Sequence, residues 1–129
     1  MNSLADVRNA FVGALSATSL HVHRYPPEQI DAATAVPFYR SLEFDQTFGE
    51  PFGRMLWGLR ITTRAGEAAS AFSELEELIV TARDAVDDPS PWESRGLSAR
   101  VQSAEQIDRS DYASIPYFSA TLLVEVIPS

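Results

Sequence analysis

The sequence predicts an α+β fold, a two-layer domain in which two amphipathic helices pack on a mainly antiparallel or mixed sheet of about five strands. In two segments, 4–17 and 67–83, apolar residues recur at helical spacing. Between and after those segments, apolar and polar residues alternate as they do in strands. The chain has 129 residues, of which 45% are apolar, so we expect a single domain, 1–129, with its own core.

The N-terminal segment predicts a helix followed by a short strand. Within 4–17 one helical face is apolar and consists of Leu4, Val7, Ala10, Phe11, Ala14 and Leu15. Residues 20–25 alternate and are predicted as a strand. Pro26 and Pro27 end that strand because proline lacks a backbone N–H, and we expect residues 28–37 to be a loop with extended character.

The middle of the chain predicts two further strands, 38–46 and 54–64, joined by a connection over residues 47–53. In the strand 54–64, one face is strongly apolar and consists of Met55, Trp57, Leu59 and Ile61. The opposite face carries three cationic side chains, Arg54, Arg60 and Arg64. We expect this face to be solvated or to contact acidic residues of another chain.

The C-terminal half predicts the second helix and two last strands. In the helix 67–83 the apolar stripe is flanked by Glu74, Glu76 and Glu77. Residues 84–96 are predicted as a loop, 97–107 as a strand, 108–114 as a polar turn, and 117–127 as the last strand. We expect the two last strands to form a hairpin.

Composition excludes several classes of function. The net charge is −8, and all ten basic residues are Arg without a cluster, which does not favour static binding to nucleic acid. Cysteine is absent, so disulfides, thiol catalysis and Cys-ligated zinc are excluded. No apolar run is long enough for a transmembrane helix, and no signal peptide is recognised, so we expect synthesis in the cytoplasm.

The candidates for chemistry each have a simpler interpretation. His21 and His23 alternate on one strand face, where they could ligate a metal or be surface residues. The acids Asp84, Asp87 and Asp88 do not have the spacing of a calcium loop and are predicted to be solvated. The glutamates of the second helix are expected on its wet face rather than in an acid–base site. Neither a nucleophile-elbow motif nor a phosphate-binding glycine loop is present.

Several local patterns occur in an order that resembles the tail terminator (tail-completion) proteins of long-tailed bacteriophages of actinobacteria. From the N-terminus they are Leu4-Ala5-Asp6-Val7, His23-Arg24-Tyr25-Pro26, Ile30-Asp31, Ala35-Val36-Pro37, Phe44-Asp45-Gln46-Thr47-Phe48-Gly49, the helix 67–83, Ser110-Asp111-Tyr112 and the strand Phe118–Ile127. They are similar to the family's leading helix, its proline-rich entry into a strand, its strand-end turn, its second helix and its closing hairpin.

This resemblance implies a structural virion protein and not an enzyme, with no cofactor and no metal. Copies of the chain would form a ring, of six subunits by analogy, at the head-proximal end of the tail. The ring would end polymerisation of the tail-tube protein and join the tail to the head connector or head-closure protein. Genome DNA would pass through it without specific binding, and no membrane would be involved.

The resemblance and the loop positions together give a set of expected subunit or tail-tube contacts. The turn 47–53 and the loop 84–96 are expected first, and the loop 28–37 third. The residues concerned are Asp45, Thr47, Phe48, Glu50, Phe52, Arg54, Arg60, Arg64, Trp92 and Tyr112. For Trp92, contact with a partner chain and packing over its own domain are both open.

Three other functions remain as alternatives. The chain could be another phage neck component, such as a head-closure or adaptor protein, and its position in the virion would separate that case. It could be a dimeric small-molecule binding module unrelated to phage, which would have a closed apolar pocket. An enzyme is the third alternative, although no residues of the sequence suggest one.

Overall fold

A computed structural model of the chain describes residues 4–25, 33–44, 53–64, 68–112 and 115–128. The elements in chain order are α1 (Leu4–Leu15), β1 (His21–Val22), β2 (Thr34–Leu42), β3 (Met55–Arg64), α2 (Ala68–Asp87), α3 (Ser90–Glu93), β4 (Leu97–Tyr112) and β5 (Ile115–Pro128). The predicted order of two long helices and five strands is confirmed, and the short helix α3 is an addition.

The strands form one sheet in the order β1-β2-β3-β5-β4. β1 runs parallel to β2, and every other neighbouring pair is antiparallel. β4 and β5 form the predicted hairpin, with register from Leu97 opposite Pro128 to Tyr112 opposite Ile115. The mixed sheet of the predicted α+β fold is therefore confirmed.

The helices cover one face of this sheet. α2 contacts β3, β4 and β5, while α1 contacts β1, α2 and α3. The core lies between the two layers because β3 and β5 direct their apolar faces toward the helices. Its fully buried strand residues include the predicted set Met55, Trp57, Leu59, Ile61, Leu122, Val124 and Val126.

The other face is called here the open face. Arg40 Nη1 of β2 lies 2.6 Å from Glu105 Oε1 of β4, although β3 and β5 lie between those two strands. Three strand spacings amount to about 14 Å in a flat sheet, so these two long side chains bridge the strands between them. Register shifts in β4 add local bending to that edge strand.

Several predicted boundaries were wrong at the N-terminal side of the sheet. β2 begins at Thr34 and ends at Leu42, four residues earlier than predicted at each end. It does so because its pairing with β3 begins at Thr34, opposite Thr62. The C-terminal part of the predicted loop 28–37 is thus strand, and residues 26–32 lie outside the described residues.

The prediction of a loop over residues 84–96 was also wrong. α2 continues to Asp87, and α3 begins three residues later, at Ser90. The helix continues because Val86 extends its apolar stripe and is fully buried. In the hairpin, β4 extends to Tyr112 where a turn was predicted, because its pairing with β5 persists to that residue.

Ile107 lies at a break in the alternation of β4. In the strand predicted over 97–107, Leu97, Ala99, Val101 and Ile107 occupy alternate positions of one face, but Leu97 is buried and Ile107 is 47% exposed. Register shifts lie between Val101 and Ser103 and between Glu105 and Asp108. Gln106, within the second shift, has a φ of 53°, so the bulge resets which side chains face the helices.

No helix in the described part of the chain is long and apolar enough to cross a membrane.

Gly58 of β3 gives a test of the open face. A Cβ at this position would lie 2.8 Å from both Cε atoms of Phe38, on β2, and closer still to its Cζ. We expect Gly58→Ala to displace the Phe38 ring and to lower the free energy of unfolding by about 1–3 kcal/mol in urea denaturation. Truncating the ring as well, in F38A/G58A, should cost less than the sum of the single changes.

Gly13 is the matched control, because a Cβ there would have no atom within 4 Å. It lies within α1, so Gly13→Ala should raise the free energy of unfolding by about 0.5–1 kcal/mol. If G58A is as stable as the wild type, the close packing of Phe38 on Gly58 is contradicted.

Candidate functional site

The predicted turn between β2 and β3 cannot be compared with the structure. Five of the predicted contact residues lie outside the described residues, namely Asp45, Thr47, Phe48, Glu50 and Phe52. For Arg64 and Tyr112 only the backbone is described, at the last residue of β3 and of β4. Their role in an interface stays a prediction.

Of the two possibilities left open for Trp92, the structure has the packing of the side chain within its own domain. The side chain is fully buried, and its ring packs edge-on against Phe11 at 4.9 Å between centroids. Its indole Nε1 donates a hydrogen bond of 2.9 Å to the carbonyl of Val86. The polar residues around Trp92 suggest exposure, but the single turn of α3 directs the indole inward.

Arg54 and Arg60 are satisfied within the chain. Arg54 Nε lies 2.6 Å from Glu125 Oε2 on β5, and Arg60 Nη2 donates a bond of 2.9 Å to Ser119 Oγ. Both acceptors belong to β5, which pairs directly with β3. Within one chain these two guanidinium groups therefore bond to side chains of β5, and their contact with acids of a neighbouring chain stays a prediction.

The Arg54 ion pair also affects the titration of that residue. The hydrogen bond that Arg54 donates to Glu125, followed by the negative charge of Glu125, raises the pKa of Arg54 above its ordinary value. When folding raises the pKa of a base, the protonated base stabilises the fold at every pH below its pKa in the unfolded chain. That stabilisation is lost only as the pH rises through the raised pKa of the folded chain. Arg54 therefore contributes no change of stability with pH in the neutral range.

Arg8 of α1 lies among three aromatic rings, a cluster that sequence reasoning missed. Its Cζ is 4.8 Å from the ring centroid of Tyr25, 5.7 Å from that of Tyr39 and 5.3 Å from that of Trp57. Its Nη1 also lies 3.4 Å from the carbonyl oxygens of Arg24 and Pro37. Cation–π attraction to several rings fixes the guanidinium at the junction of α1, β1 and β2.

A second arginine extends this cluster toward solvent. Arg24 is exposed, and its Nε donates a 2.8 Å hydrogen bond to Asn9 Oδ1 of α1. We call Arg8, Arg24, Tyr25 and Tyr39 the basic aromatic patch. The only sequence signal for it is the position of Arg8 beside the apolar stripe of the first helix, because the other members come from separate segments.

The outer surface of α2 has the opposite charge. Five exposed acids lie on α2 and a sixth, Asp88, follows it directly. We call the surface formed by these six residues the acidic face: Glu74, Glu76, Glu77, Asp84, Asp87 and Asp88. The prediction that the three glutamates lie on the wet side of the helix is confirmed. Arg83 is the cation of the same surface, and its Nε lies 3.8 Å from Asp87 Oδ2.

Two of the predicted loop acids have structural partners. Asp87 Oδ1 accepts a 3.0 Å hydrogen bond from the Val101 N–H at the start of β4. Asp88 Oδ1 accepts one of 3.1 Å from the Ser90 N–H at the first turn of α3. These carboxylates therefore connect α2 to the elements that follow it.

The histidines lie on β1 and just after it. The backbone N–H of His21 donates to the Ala33 carbonyl at 2.9 Å, and that of His23 donates to the Ala35 carbonyl at 3.0 Å. Among the residues described, no group of three or more His, Cys, Asp or Glu side chains is arranged to hold a metal ion.

Comparison of the sequence with protein-family models gave no match, and neither did comparison with curated proteins. The interaction surfaces described above are therefore interpreted from their own geometry and charge.

The position of Trp92 can be tested by its contribution to stability. Trp92→Phe removes the donor to the Val86 carbonyl and leaves that buried oxygen without its partner. We expect the free energy of unfolding to fall by about 2–3 kcal/mol in urea denaturation. An exposed contact residue would instead leave the stability of the single chain unchanged.

Trp57→Phe is the matched control, since Trp57 is equally buried but its Nε1 has no hydrogen-bond partner in the structure. It should cost about 1 kcal/mol less than W92F, because it breaks no indole hydrogen bond and keeps an aromatic ring beside Arg8. Equal losses in the two variants would contradict that assignment.

Proposed function

We propose that this chain is a structural subunit of a phage tail, a tail terminator. Copies of it associate into a ring that caps the head-proximal end of the tail tube. The ring ends polymerisation of the tube and offers its other side to the head connector. Its action is binding and geometry, without a chemical step.

The observation that carries this proposal is a set of three exposed aromatic side chains, one within β2 and two in the segments that follow β1 and β2. Tyr25 is 66% exposed, Tyr39 48% and Phe44 71%, while the core of the same domain is fully buried. Large exposed aromatic groups on a domain with a packed core are typical of surfaces that another molecule covers. Phe44 also leads directly into the turn 47–53 that the resemblance assigns to subunit or tube contacts.

The order of elements supports the same proposal. A leading helix, three strands, a second helix and a closing hairpin follow one another as the resemblance implies. Because both helices cover the same face of the sheet, the outer side of the helices and the sheet edges remain for contacts with other molecules. A two-layer subunit of this kind therefore has surfaces free of its own helix–sheet packing with which it can contact neighbouring copies in a ring.

The edge strand β4 is suited to assembly of a fixed number of subunits. Its register shifts twice, and a bulged edge is a poor template for addition of another strand. Contacts between copies are then made by side-chain surfaces. Such surfaces can form a head-to-tail interface that closes into a ring instead of growing without limit.

Charge supports passage of DNA through the ring. The chain carries a net charge of −8, and the ion pairs of Arg40 and Arg54 neutralise two of its cations. A surface of this kind repels the phosphate backbone and gives little release of counterions on contact. DNA can therefore move past it without being held.

A tube-assembly experiment tests the proposal. Tail-tube protein of the phage that carries the gene is polymerised with and without this chain, and tube lengths are measured by electron microscopy. We expect shorter tubes, each with a density cap at one end, at an amount of chain that matches the number of tube ends. An equimolar amount of W92F, which disturbs the core, is the control for nonspecific effects of partly unfolded protein.

Unchanged tube lengths and bare tube ends would contradict the terminator function. If the chain leaves tubes unchanged but binds the head connector, it is another neck component instead. If it forms a stable dimer that ignores both, the small-molecule binding module becomes the better explanation.

A further inference from the structure

The acidic face of α2 concentrates most of the chain's unbalanced charge. From residue 68 to 88 there are six acids and one Arg, all of them exposed. Within this face Glu76, Glu77, Val80 and Thr81 line a shallow open depression. Val80 is 53% exposed, so the depression combines an apolar centre with an anionic rim. A surface of this composition fits a cationic partner with an apolar or aromatic component.

The basic aromatic patch has that complementary composition. Arg8 and Arg24 take part in none of the ion pairs found between described residues, which involve Arg40, Arg54 and Arg83. Both guanidinium groups are nevertheless held in place, Arg8 by aromatic rings and Arg24 by Asn9. A cation that is already ordered loses little side-chain entropy when it meets a partner.

The two surfaces lie on different parts of the chain. The patch belongs to α1 and to β1 and β2, at one edge of the sheet. α2 packs on β3, β4 and β5, and the exposed glutamates of its acidic face, Glu74, Glu76 and Glu77, lie on its solvent side. Although α1 packs against α2, none of the ion pairs found between described residues joins the patch to the acidic face, so their contact is made between two copies of the chain.

We propose that the acidic face of α2 in one copy docks on the basic aromatic patch of the next copy. Glu76 and Glu77 face Arg24 and Arg8 across this contact, and Tyr25 covers the depression around Val80. The contact is head-to-tail, since two different surfaces meet, and each copy keeps one surface of each kind for a further neighbour.

Closure of this contact into a ring rests on the proposed function; the pairing of the two surfaces does not. A specific interface covers about 800 Å² on each partner. That is roughly a tenth of the 7126 Å² of accessible surface of this chain, so two such interfaces per copy leave room for tube and connector.

Thiol cross-linking tests the pairing, because the chain has no cysteine of its own. One variant is Ser73→Cys, at a position four residues before Glu77 and so one helical turn from the centre of the acidic face. The other is Ala5→Cys, three residues before Arg8 and so one helical turn from the basic aromatic patch. Both positions are exposed, and neither change removes a charge. Equal amounts of the S73C and A5C proteins are mixed at native pH and treated with a short bis-maleimide.

We expect a cross-linked dimer at least tenfold more abundant in the mixture of S73C and A5C than in either variant alone. A5C is then replaced by Ser98→Cys, an exposed position on the other edge of the sheet, and this control mixture should remain uncross-linked. Equal cross-linking of S73C with S98C, or of either variant with itself, overturns the head-to-tail pairing.

A charge exchange gives a second, independent readout. Glu77→Arg alone and Arg24→Glu alone should each raise the concentration needed for assembly about tenfold or more, since like charges then face each other. The double variant E77R/R24E should recover most of the assembly, because the pair is re-formed with reversed sign. Failure of the double variant to recover, with circular dichroism like that of the wild type, overturns the pairing.

The two proposals fail separately. If rings form on tube ends but S73C and A5C do not cross-link, the surface pairing is wrong and the terminator function stands. If the cross-link and charge exchange succeed but tube lengths do not change, the pairing stands and the terminator function is wrong.

Discussion

Burial of Trp57 at the centre of the sheet is the constraint on which the other elements depend. Its ring lies 5.7 Å from that of Phe11 on α1 and 5.7 Å from that of Tyr39 on β2, and the Arg8 guanidinium lies 5.3 Å from it. Phe11 in turn contacts Trp92, so one chain of aromatic contacts joins β2, β3, α1 and α3. Loss of the Trp57 ring would remove the support of both layers at once, since its neighbours would line the resulting cavity.

This central packing has a consequence for assembly. Because Trp57 and Phe11 hold α1 on the sheet, Arg8 is presented by a packed helix, and Asn9 of the same helix accepts a hydrogen bond from Arg24. Because α2 buries its apolar stripe against three strands, its charged side is left to solvent. The fold thus keeps two oppositely charged surfaces apart within a chain, where only another copy can bring them together.

The parts of the fold governed by one local pattern could be predicted from the sequence, and the parts governed by distant contacts could not. β3, β5 and both long helices follow from the alternation or helical spacing of their own residues. The last turn of α2 depends on burial of Val86 and on the hydrogen bond that the Val101 N–H, fourteen residues away, donates to Asp87. The basic aromatic patch needs α1, β1 and β2 together, and Trp92 is buried because α3 turns it toward Phe11.

Native mass of the purified chain, alone and with tail-tube protein, tests the central claim of ring assembly most directly. If the chain assembles into a ring, a species of about six times its 14.2 kDa forms, either in free solution at high concentration or only on tube ends. Raising the salt concentration should dissociate the free species, since its contacts join opposite charges. Ring assembly would be contradicted by a stable dimer. It would also be contradicted by a monomer whose mass does not change with tube protein or with concentration.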